Sequence, residues 1–497
     1  MCNISSEHCF IVPPLTHLSC YPRHRESSHT PTVQKYCYIS QVEDFGWKIY
    51  AAQHPLPSHS LTPVLQNLRW STRDLIRHQN LAKRSWESRK FISRPLGPVW
   101  STKFHPVMAI SSSRLVVAAG NALYCYRFMP RPVTRQSDTP SVLFERKLML
   151  PKDPRQDITG VGFEPDGKGL VLSFLDGALG RMPLPPLSER RPHSEHRKPP
   201  ELTYFHEKGQ SIRSLSVVNT TMLTIDSFGN GTLYSLYPQY FPTSSVSAGG
   251  STGPSTGWST HLSLRGSAGF AVFGLSSTIP LVAHGITPTG LTPYPQAILS
   301  LTSQPLLSPQ RPVYSIAGGT PHTCPGVTTS DQIIISGWYH GMISVHDLRC
   351  PTHTGTPSGQ APHLLPVQIM QDSLSLSPIY SLSSAGTHIA AGSARNSVVH
   401  LYDVRSPRTG WSIYLPQSQT HTSSLPSWSS AVYSCLLEGT RLWAATDSRP
   451  FVVDFGEVRE STYPAVVDPF SAPSTPRTVG WHTPVWEHNG QLRALYL

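Results

Sequence analysis

The sequence predicts an all-β fold, a β-propeller of seven blades preceded by a short α-helical N-terminal segment. Two observations predict it: a unit of three short strands recurs along residues 97–497, and proline, glycine and serine punctuate the chain between the strands. A unit of roughly 40 to 60 residues with three or four strands cannot bury both of its faces alone, so such units stack around an axis. A sandwich of two sheets would not require the same unit seven times.

The composition favours short strands joined by long loops over a helical protein. Proline accounts for 48 of 497 residues and charged side chains for 14 %, against roughly 25 % charged residues in average globular proteins. The net charge is +11, but basic residues cluster only between Arg69 and Arg94. Trp70 and Trp86 in that cluster fit a packed helix face better than a base-stacking surface, which argues against a nucleic-acid partner.

The chain carries no pattern for crossing a membrane or for secretion. No stretch of about 18 consecutive apolar residues occurs, and the start lacks a basic segment followed by an apolar run. We therefore expect an intracellular protein, cytoplasmic and/or nuclear, that does not enter a membrane.

The chain divides into an N-terminal region, a helical region and the propeller. Residues 1–40 have mixed polarity and no periodicity, and we expect them to be disordered. In residues 41–96, Ser71 and Asp74 resemble a capping box, and Leu75, Ala82 and Trp86 then fall on one face of a helix that extends to about residue 90. A lone helix of this length is marginal in water. We therefore expect Trp86 to pack within the chain and hold the helix against the first blade, and truncation at Pro95 to leave a folded propeller.

The recurring unit of residues 97–497 begins with a strand that carries an aromatic or apolar residue beside serine. Clear examples are Val313-Tyr314-Ser315-Ile316, Ile379-Tyr380-Ser381-Leu382 and Val432-Tyr433-Ser434-Cys435. A second strand ends in small residues, and a hairpin leads to a third. Further copies start at residues 99, 158 and 212, and a weak copy comprises 270–273, 281–284 and 297–301. By composition, 183–200, 244–260 and 351–366 are expected to be long disordered loops.

Two copies end in an Asp-x-Arg tail, Asp347-Leu348-Arg349 and Asp403-Val404-Arg405. The tails resemble the closing Trp-Asp-x-Arg of a WD-repeat unit, with histidine or tyrosine in place of tryptophan. The aspartate of such a unit accepts hydrogen bonds in a tight turn, so we expect all four residues to serve the blade structure: Asp347, Arg349, Asp403 and Arg405.

The C-terminal third resembles the last blades of F-box/WD-repeat proteins of the dactylin type. The resemblance rests on residues 379–382, 388–393, 397–405, 431–436 and 452–455, while residues 47–100 are similar to the helical linker that follows the F-box. It implies a WD-type propeller that binds a target protein as the substrate-recognition subunit of an SCF-type cullin-RING ubiquitin ligase. The N-terminal helices would attach to a Skp-type adaptor and cullin. An F-box opens with Leu-Pro and a helical run of Leu and Ile, which residues 1–45 lack, so it is either degenerate or truncated here.

Two other functions stay open on the sequence. The propeller could be a WD-repeat scaffold for protein complexes without a ubiquitin link, or it could dock on the propeller adaptor of another cullin through its Asp-x-Arg tails. The sequence contains no nucleophile elbow, no phosphate-binding glycine loop and no regular set of metal ligands. His340 and His346 flank one hairpin without a recognisable third ligand. The sequence therefore predicts neither an enzyme nor a cofactor or metal site.

Overall fold

The computed structural model describes residues 80–81, 83–129, 141–150, 157–186, 201–206, 209–237, 241–248, 255–301, 311–319, 332–350, 361–372, 375–415, 430–456, 463–464, 485–487 and 492–493. These residues belong to one compact unit, Pro55–Leu497. No helix among them is long and apolar enough to cross a membrane. The predicted disordered region 1–40, and Leu75 and Ala82 of the predicted helix face, lie outside the described residues.

A helix, α1, comprises the described residues 80–81 and 83–88 and is followed by the first strand, β1 (Ile92–Pro95). The amide of Lys90 donates to the carbonyl of Ser85 at 2.9 Å, and that of Arg89 donates to the carbonyl of Trp86 at 3.2 Å. Arg89 has a φ of 56°. This pair of bonds around a left-handed residue is the Schellman arrangement, which ends a helix by satisfying its last carbonyls.

The described strands form seven sheets, antiparallel except for one parallel pair in blade 4, and each sheet is one blade of a propeller, as predicted. Blade 1 contains β2 (Val107–Ile110), β3 (Arg114–Ala119), β4 (Ala122–Met129) and β5 (Ser141–Met149). Blade 2 contains β6 (Ile158–Phe163), β7 (Gly169–Phe174), β8 (Leu179–Pro183) and β9 (Thr203–His206). Blade 3 contains β10 (Ile212–Val218), β11 (Thr221–Asp226), β12 (Asn230–Ser235) and β13 (Phe241–Ser247).

The later blades recruit additional strands. Blade 4 contains β14 (Thr256–Arg265), β15 (Ala268–Ser276), β16 (Leu281–Thr287), the short β17 (Gly290–Leu291) and β18 (Ala297–Leu299). Blade 5 contains β19 (Val313–Gly318), β20 (Ile333–Trp338), β21 (Met342–Asp347) and β23 (Gln368–Gln371). The connection between β21 and β23 contains the short strand β22 (His363–Leu364), which pairs with β18 at the edge of blade 4. Blade 6 contains β24 (Ile379–Ala385), β25 (His388–Ser393), β26 (Val398–Asp403) and β27 (Trp411–Tyr414).

The last blade closes the ring. Blade 7 contains β28 (Val432–Glu438), β29 (Arg441–Thr446) and β30 (Pro450–Asp454), while β31 (Val485–Glu487) and β32 (Leu492–Arg493) return to extend blade 6. The outermost strand of blade 7 is β1, with Ile92 opposite Asp454 and Pro95 opposite Phe451. The innermost strands contact one another around the whole ring, including β28 with β2. The propeller therefore begins at residue 92 and not at 97, because β1 covers an edge of β30 that would otherwise be bare.

The hydrophobic core consists of clusters that each join two neighbouring blades. In the central strand β29, Trp443 and Ala445 pack toward blade 1, whereas Leu442 and Ala444 pack toward blade 6. Successive side chains of a strand point to opposite faces of its sheet, so a blade that packs against neighbours on both faces buries side chains at successive positions. All six residues of β29 are accordingly buried.

Several predicted segments take a different structure. The predicted first strand, 99–104, instead crosses from blade 7 to blade 1, and the amide of Trp100 donates to the carbonyl of Ser448 at 2.8 Å. The predicted loop 244–260 contains the end of β13 and the start of β14. The first strand of the weak copy at 270–301 is therefore β14, which begins in the segment that was predicted to be a loop. The predicted loops 183–200 and 351–366 include Pro183 of β8 and all of β22, and residues 187–200 and 351–360 lie outside the described part.

Candidate functional site

The repeated first strand has a three-residue pattern with a distinct task for each position. In Ile379-Tyr380-Ser381, Ile379 is fully buried between blades, and the Ser381 hydroxyl donates to the carbonyl of Val432 in the next blade at 3.0 Å. Tyr380 between them is a β-bulge residue with no partner in the adjacent strand. A bulge re-aims one side chain without disturbing its neighbours. Ile379 and Ser381 therefore attach the strand to its neighbours, whereas the Tyr380 side chain between them takes part in neither contact.

The same bulge occurs in the innermost strands of blades 2 to 7. The bulge residues are, in order, Thr159, Arg213, Trp258, Tyr314, Tyr380 and Tyr433. Each is the second or third residue of its strand, and the innermost strands of a propeller run in the same direction. These side chains therefore lie at the same end of the central channel.

Five of these side chains and His105 form a continuous row, which we call the aromatic arc: Arg213, Trp258, Tyr314, Tyr380, Tyr433 and His105. The Arg213 guanidinium lies 5.7 Å from the Trp258 ring. Ring centroids are then 4.8 Å apart from Trp258 to Tyr314, 5.3 Å from Tyr314 to Tyr380 and 5.8 Å from Tyr380 to Tyr433. His105, which precedes the first strand of blade 1, stacks on Tyr433 at 4.4 Å. We call this side of the propeller the arc face.

The arc presents neutral donors beside aromatic rings. Burial, and then the neighbouring phenols Tyr380 and Tyr339, raise the pKa of Tyr314. Burial, followed by Tyr380 and Asp447, likewise raises the pKa of Tyr433. The indole nitrogen of Trp258 is buried without a hydrogen-bond partner in the described part of the chain. A buried donor left unpaired is costly, which favours a ligand that supplies an acceptor.

Exposed apolar side chains surround the arc on the adjoining loops. Leu175, Phe228 and Tyr339 follow the second strands of blades 2, 3 and 5, and Leu376 precedes the first strand of blade 6. Their exposed fractions are 39 %, 58 %, 51 % and 71 %. Exposed apolar side chains beside the arc add to the surface that a partner can cover.

The two Asp-x-Arg tails lie on the opposite side, which we call the helix face. Asp347 accepts from the Arg349 amide at 3.0 Å and from its Nε at 2.8 Å, and Asp403 accepts from the same atoms of Arg405 at 2.9 and 3.0 Å. Burial alone would raise the pKa of Asp347, but the bonds from Arg349 outweigh it and the pKa is lowered; Asp403 behaves likewise with Arg405. Each tail thus closes its own turn.

The leader helix α1 is fixed to the helix face through Trp86. Its ring is stacked between His388 at 4.1 Å and Phe455 at 4.2 Å, and its edge meets Trp411 at 6.0 Å. These residues belong to blades 6 and 7, not to the first blade as predicted from the sequence. The reason is the ring closure: β1 follows α1 and pairs with blade 7, so the helix must start at that blade.

One buried cluster has the composition of a catalytic triad but not its geometry. His400 Nδ1 lies 2.7 Å from Ser412 Oγ and 3.5 Å from Asp372 Oδ2. A relay requires base and orienting acid to use different ring nitrogens and the hydroxyl to be accessible. All three residues are buried. Within the described ranges, no three His, Cys, Asp or Glu side chains are placed to hold a metal ion, and His340 and His346 gain no third ligand.

Sequence reasoning recognised the Tyr-Ser pattern as a mark of the blade but missed the surface it builds. The available signal was the recurrence of an aromatic residue at one register, in Trp258, Tyr314, Tyr380 and Tyr433. In each copy the aromatic residue stands between a buried residue and the serine, which is not the position that faces the core.

The sequence matches no protein-family model and no curated protein. Among solved structures, the chain is similar to the WD40 β-propeller domain of Doa1, with a TM-score of 0.46 and 10 % sequence identity. The superposition covers 75 % of this chain and 98 % of that chain. The assignment of a seven-bladed propeller rests on the sheet topology described above.

Proposed function

We propose that this protein is a non-catalytic protein-binding platform and that its partner contacts the arc face. The observation that carries the proposal is the aromatic arc itself, in which bulges turn Trp258, Tyr314, Tyr380 and Tyr433 away from the core at one end of the channel. Trp, Tyr and Arg are the residue types that most often dominate binding energy in protein interfaces. The arc is also held by rigid strands, so little order has to be gained on binding.

A triple variant tests this proposal: Tyr314→Ala, Tyr380→Ala and Tyr433→Ala together. We expect loss of the proteins recovered with the full chain by affinity purification and quantitative mass spectrometry, while circular dichroism retains the β-sheet spectrum. Tyr294→Ala is the matched control, because Tyr294 is 80 % exposed and lies on the helix face after the third strand of blade 4. Equal recovery by the triple variant and the control would exclude the arc as the binding surface.

We further propose that the platform is the substrate receptor of a cullin-RING ubiquitin ligase, as the resemblance to F-box/WD-repeat proteins implies. The position of α1 supports this role, because a leader fixed to the helix face leaves the arc face open for a target. Glu87 of α1 also lies near the Asp403–Arg405 tail: the pKa of Arg405 is raised chiefly by its hydrogen bond to Asp403 and further by Glu87. Both tail arginines bind their own aspartates, so we do not assign them to an adaptor.

Reconstitution tests the receptor role. The full chain, preceded by whatever coding sequence lies upstream of Met1 in its transcript, would be co-expressed with a Skp-type adaptor and cullin. We expect a stable complex that elutes as one peak in size-exclusion chromatography. Absence of the complex, with protein partners still recovered through the arc, would favour the scaffold without a ubiquitin link.

A further inference from the structure

A depression on the arc face lies beside the arc, between blades 5 and 6. Its walls are Arg311, Pro312, Tyr339, His340 and Leu376. It adjoins the arc through Tyr339, whose ring lies 6.1 Å from that of Tyr314. The walls are mainly apolar, and Tyr339 and Leu376 are more than half exposed at 51 % and 71 %. The depression has a volume of about 500 Å³, which is enough for one large side chain together with its neighbouring residues.

Among the residues that the structure describes, the exposed charges beside the depression are positive. Arg311 at its wall and Arg395 in the adjacent turn of blade 6 are exposed, and neither has an ion-pair partner in the described residues. The carboxylates of Asp372 and Asp447 on this face are buried and already have partners. Asp372 contacts His400, and Asp447 accepts a hydrogen bond from Ser430 and forms an ion pair with Lys103. On this face Asp157 is exposed at blade 2, and Asp176 and Asp226 are half-buried at blades 2 and 3. The arc face is therefore positive at blades 5 and 6.

The wall also contains an imidazole whose polar atom is not satisfied. His340 Nδ1 is buried and has no hydrogen-bond partner in the described part of the chain. Burial, with a further contribution from the nearby Arg311, lowers the pKa of His340 to about 4. Its ring is therefore neutral at physiological pH, and Arg311 is the wall's cation.

We propose that this depression binds a large apolar side chain of an extended partner segment, and that Arg311 pairs with a carboxylate next to that side chain. Pro312, Tyr339 and Leu376 supply the apolar contact, and the Arg311 guanidinium donates two parallel N–H bonds to the carboxylate oxygens. The inference deepens the proposed function, on which it rests, by naming the chemistry of the partner: an acidic residue beside a large aliphatic or aromatic one. Blades 5 and 6 thus select the segment, while the arc supplies the larger contact.

Selection from a phage-displayed library of random linear peptides tests the inference on the purified full chain. We expect enriched peptides to share Asp or Glu adjacent to a large apolar residue. Selection on Arg311→Glu should replace that acid with Lys or Arg. A synthetic peptide carrying the enriched sequence should bind roughly tenfold more weakly to Arg311→Glu and to Leu376→Asp, as expected for loss of one charge-assisted contact or apolar anchor. Arg408→Glu, an exposed arginine in the turn after β26 on the helix face, is the matched control and should bind as the unmodified chain does.

The outcomes separate this inference from the proposed function. Peptides that lose binding to the arc triple variant but bind Arg311→Glu normally would overturn the depression and leave the arc in place. Peptides without an acidic residue, or no enrichment at all on the unmodified chain, would also overturn it. Because Arg311 and Leu376 are exposed, thermal melting of both variants should match the unmodified chain, which separates lost binding from lost folding.

Discussion

At the scale of single residues, the Asp-x-Arg tails are turns stabilised by charge. Asp347 is nearly buried, at 8 % exposure, whereas Asp403 is more accessible. Replacing either with alanine leaves turn amides and an arginine without their acceptor, which costs about 1–3 kcal/mol of unfolding free energy. We expect Asp347→Ala to be the more destabilising of the two in urea unfolding at neutral pH.

The pH dependence of the same variants gives an independent check. The pKa of Asp347 is lowered in the folded chain, so its contribution to stability is present above the unfolded pKa of about 3.9 and is lost as the pH falls through the lower folded value. The difference between Asp347→Ala and the unmodified chain should therefore shrink only below about pH 4. A difference that disappears already between pH 7 and 5 would contradict the assignment.

Buried histidine gives a second prediction at this scale. Burial lowers the pKa of His346 to about 4, in spite of the hydrogen bond to the Ser300 carbonyl. The unfolded chain therefore binds a proton from about pH 6.5 downward while the folded chain does not, so stability falls across that interval. We expect His346→Gln to flatten the slope of unfolding free energy between pH 6.5 and 4, measured by urea titration at several pH values. An unchanged slope would show that His346 does not contribute.

At the scale of elements, β1 was predicted wrongly, because the sequence analysis assigned its residues to the helical region. In the structure it is the outermost strand of blade 7. Ile92–Pro95 pairs with β30 along its whole length. Chains that start at residue 80, 91 and 96 separate the two roles of the leader. The step from 80 to 91 removes Trp86, and burial lost with a core tryptophan costs about 3–5 kcal/mol. The step from 91 to 96 removes the closing strand and bares an edge.

We expect the chain starting at residue 96 to aggregate or to melt well below the chain starting at 91. Truncation at Pro95, which the sequence suggested as harmless, would thus cut the propeller open. Scanning calorimetry with light scattering measures both effects. Equal melting of the chains that start at 91 and 96 would mean that blade 7 is complete with three strands.

The sequence supported prediction of the blades because their strands repeat a local pattern. Val313, Ile379 and Val432 are buried residues that precede an outward aromatic residue and a serine, and this order is readable without a structure. The strand Thr256–Arg265 could not be recognised from the sequence, because half of its residues are serine, threonine or glycine and it is covered by the innermost strands of blades 3 and 5. Composition alone assigns such a stretch to a loop.

The arc and the location of α1 depend on closure, which no local pattern encodes. Tyr380 meets Tyr314 and Tyr433 only because adjacent blades bring their bulges together, across sequence separations of more than fifty residues. Trp86 was expected to be buried, but its partners His388 and Phe455 come from the far end of the chain. A helical pattern identifies the apolar side of a helix and not the surface that covers it.

At the scale of the whole molecule, the propeller separates a binding surface from an anchoring surface. The arc lies where the innermost strands begin, and α1 lies at the opposite ends of blades 6 and 7. Rigid blades between the two faces fix the direction in which a bound target is presented. This geometry yields a prediction about independence, since sites without shared contacts have additive effects.

We expect Trp86→Ala and the arc triple variant to affect different properties. Trp86→Ala should lower the unfolding free energy by about 3–5 kcal/mol and expose α1 to limited proteolysis, yet retain affinity for a peptide or protein bound at the arc. The triple variant should lose that affinity and keep α1 protected. Leu81→Ala serves as the control on the same helix, because Leu81 is 37 % exposed and contributes little to the contact. Combining Trp86→Ala with the triple variant should give the sum of the separate changes in stability, measured by urea unfolding. A clear departure from additivity, or weaker arc binding in Trp86→Ala alone, would contradict this independence. It would mean that the leader helix and the arc are energetically coupled through blades 6 and 7.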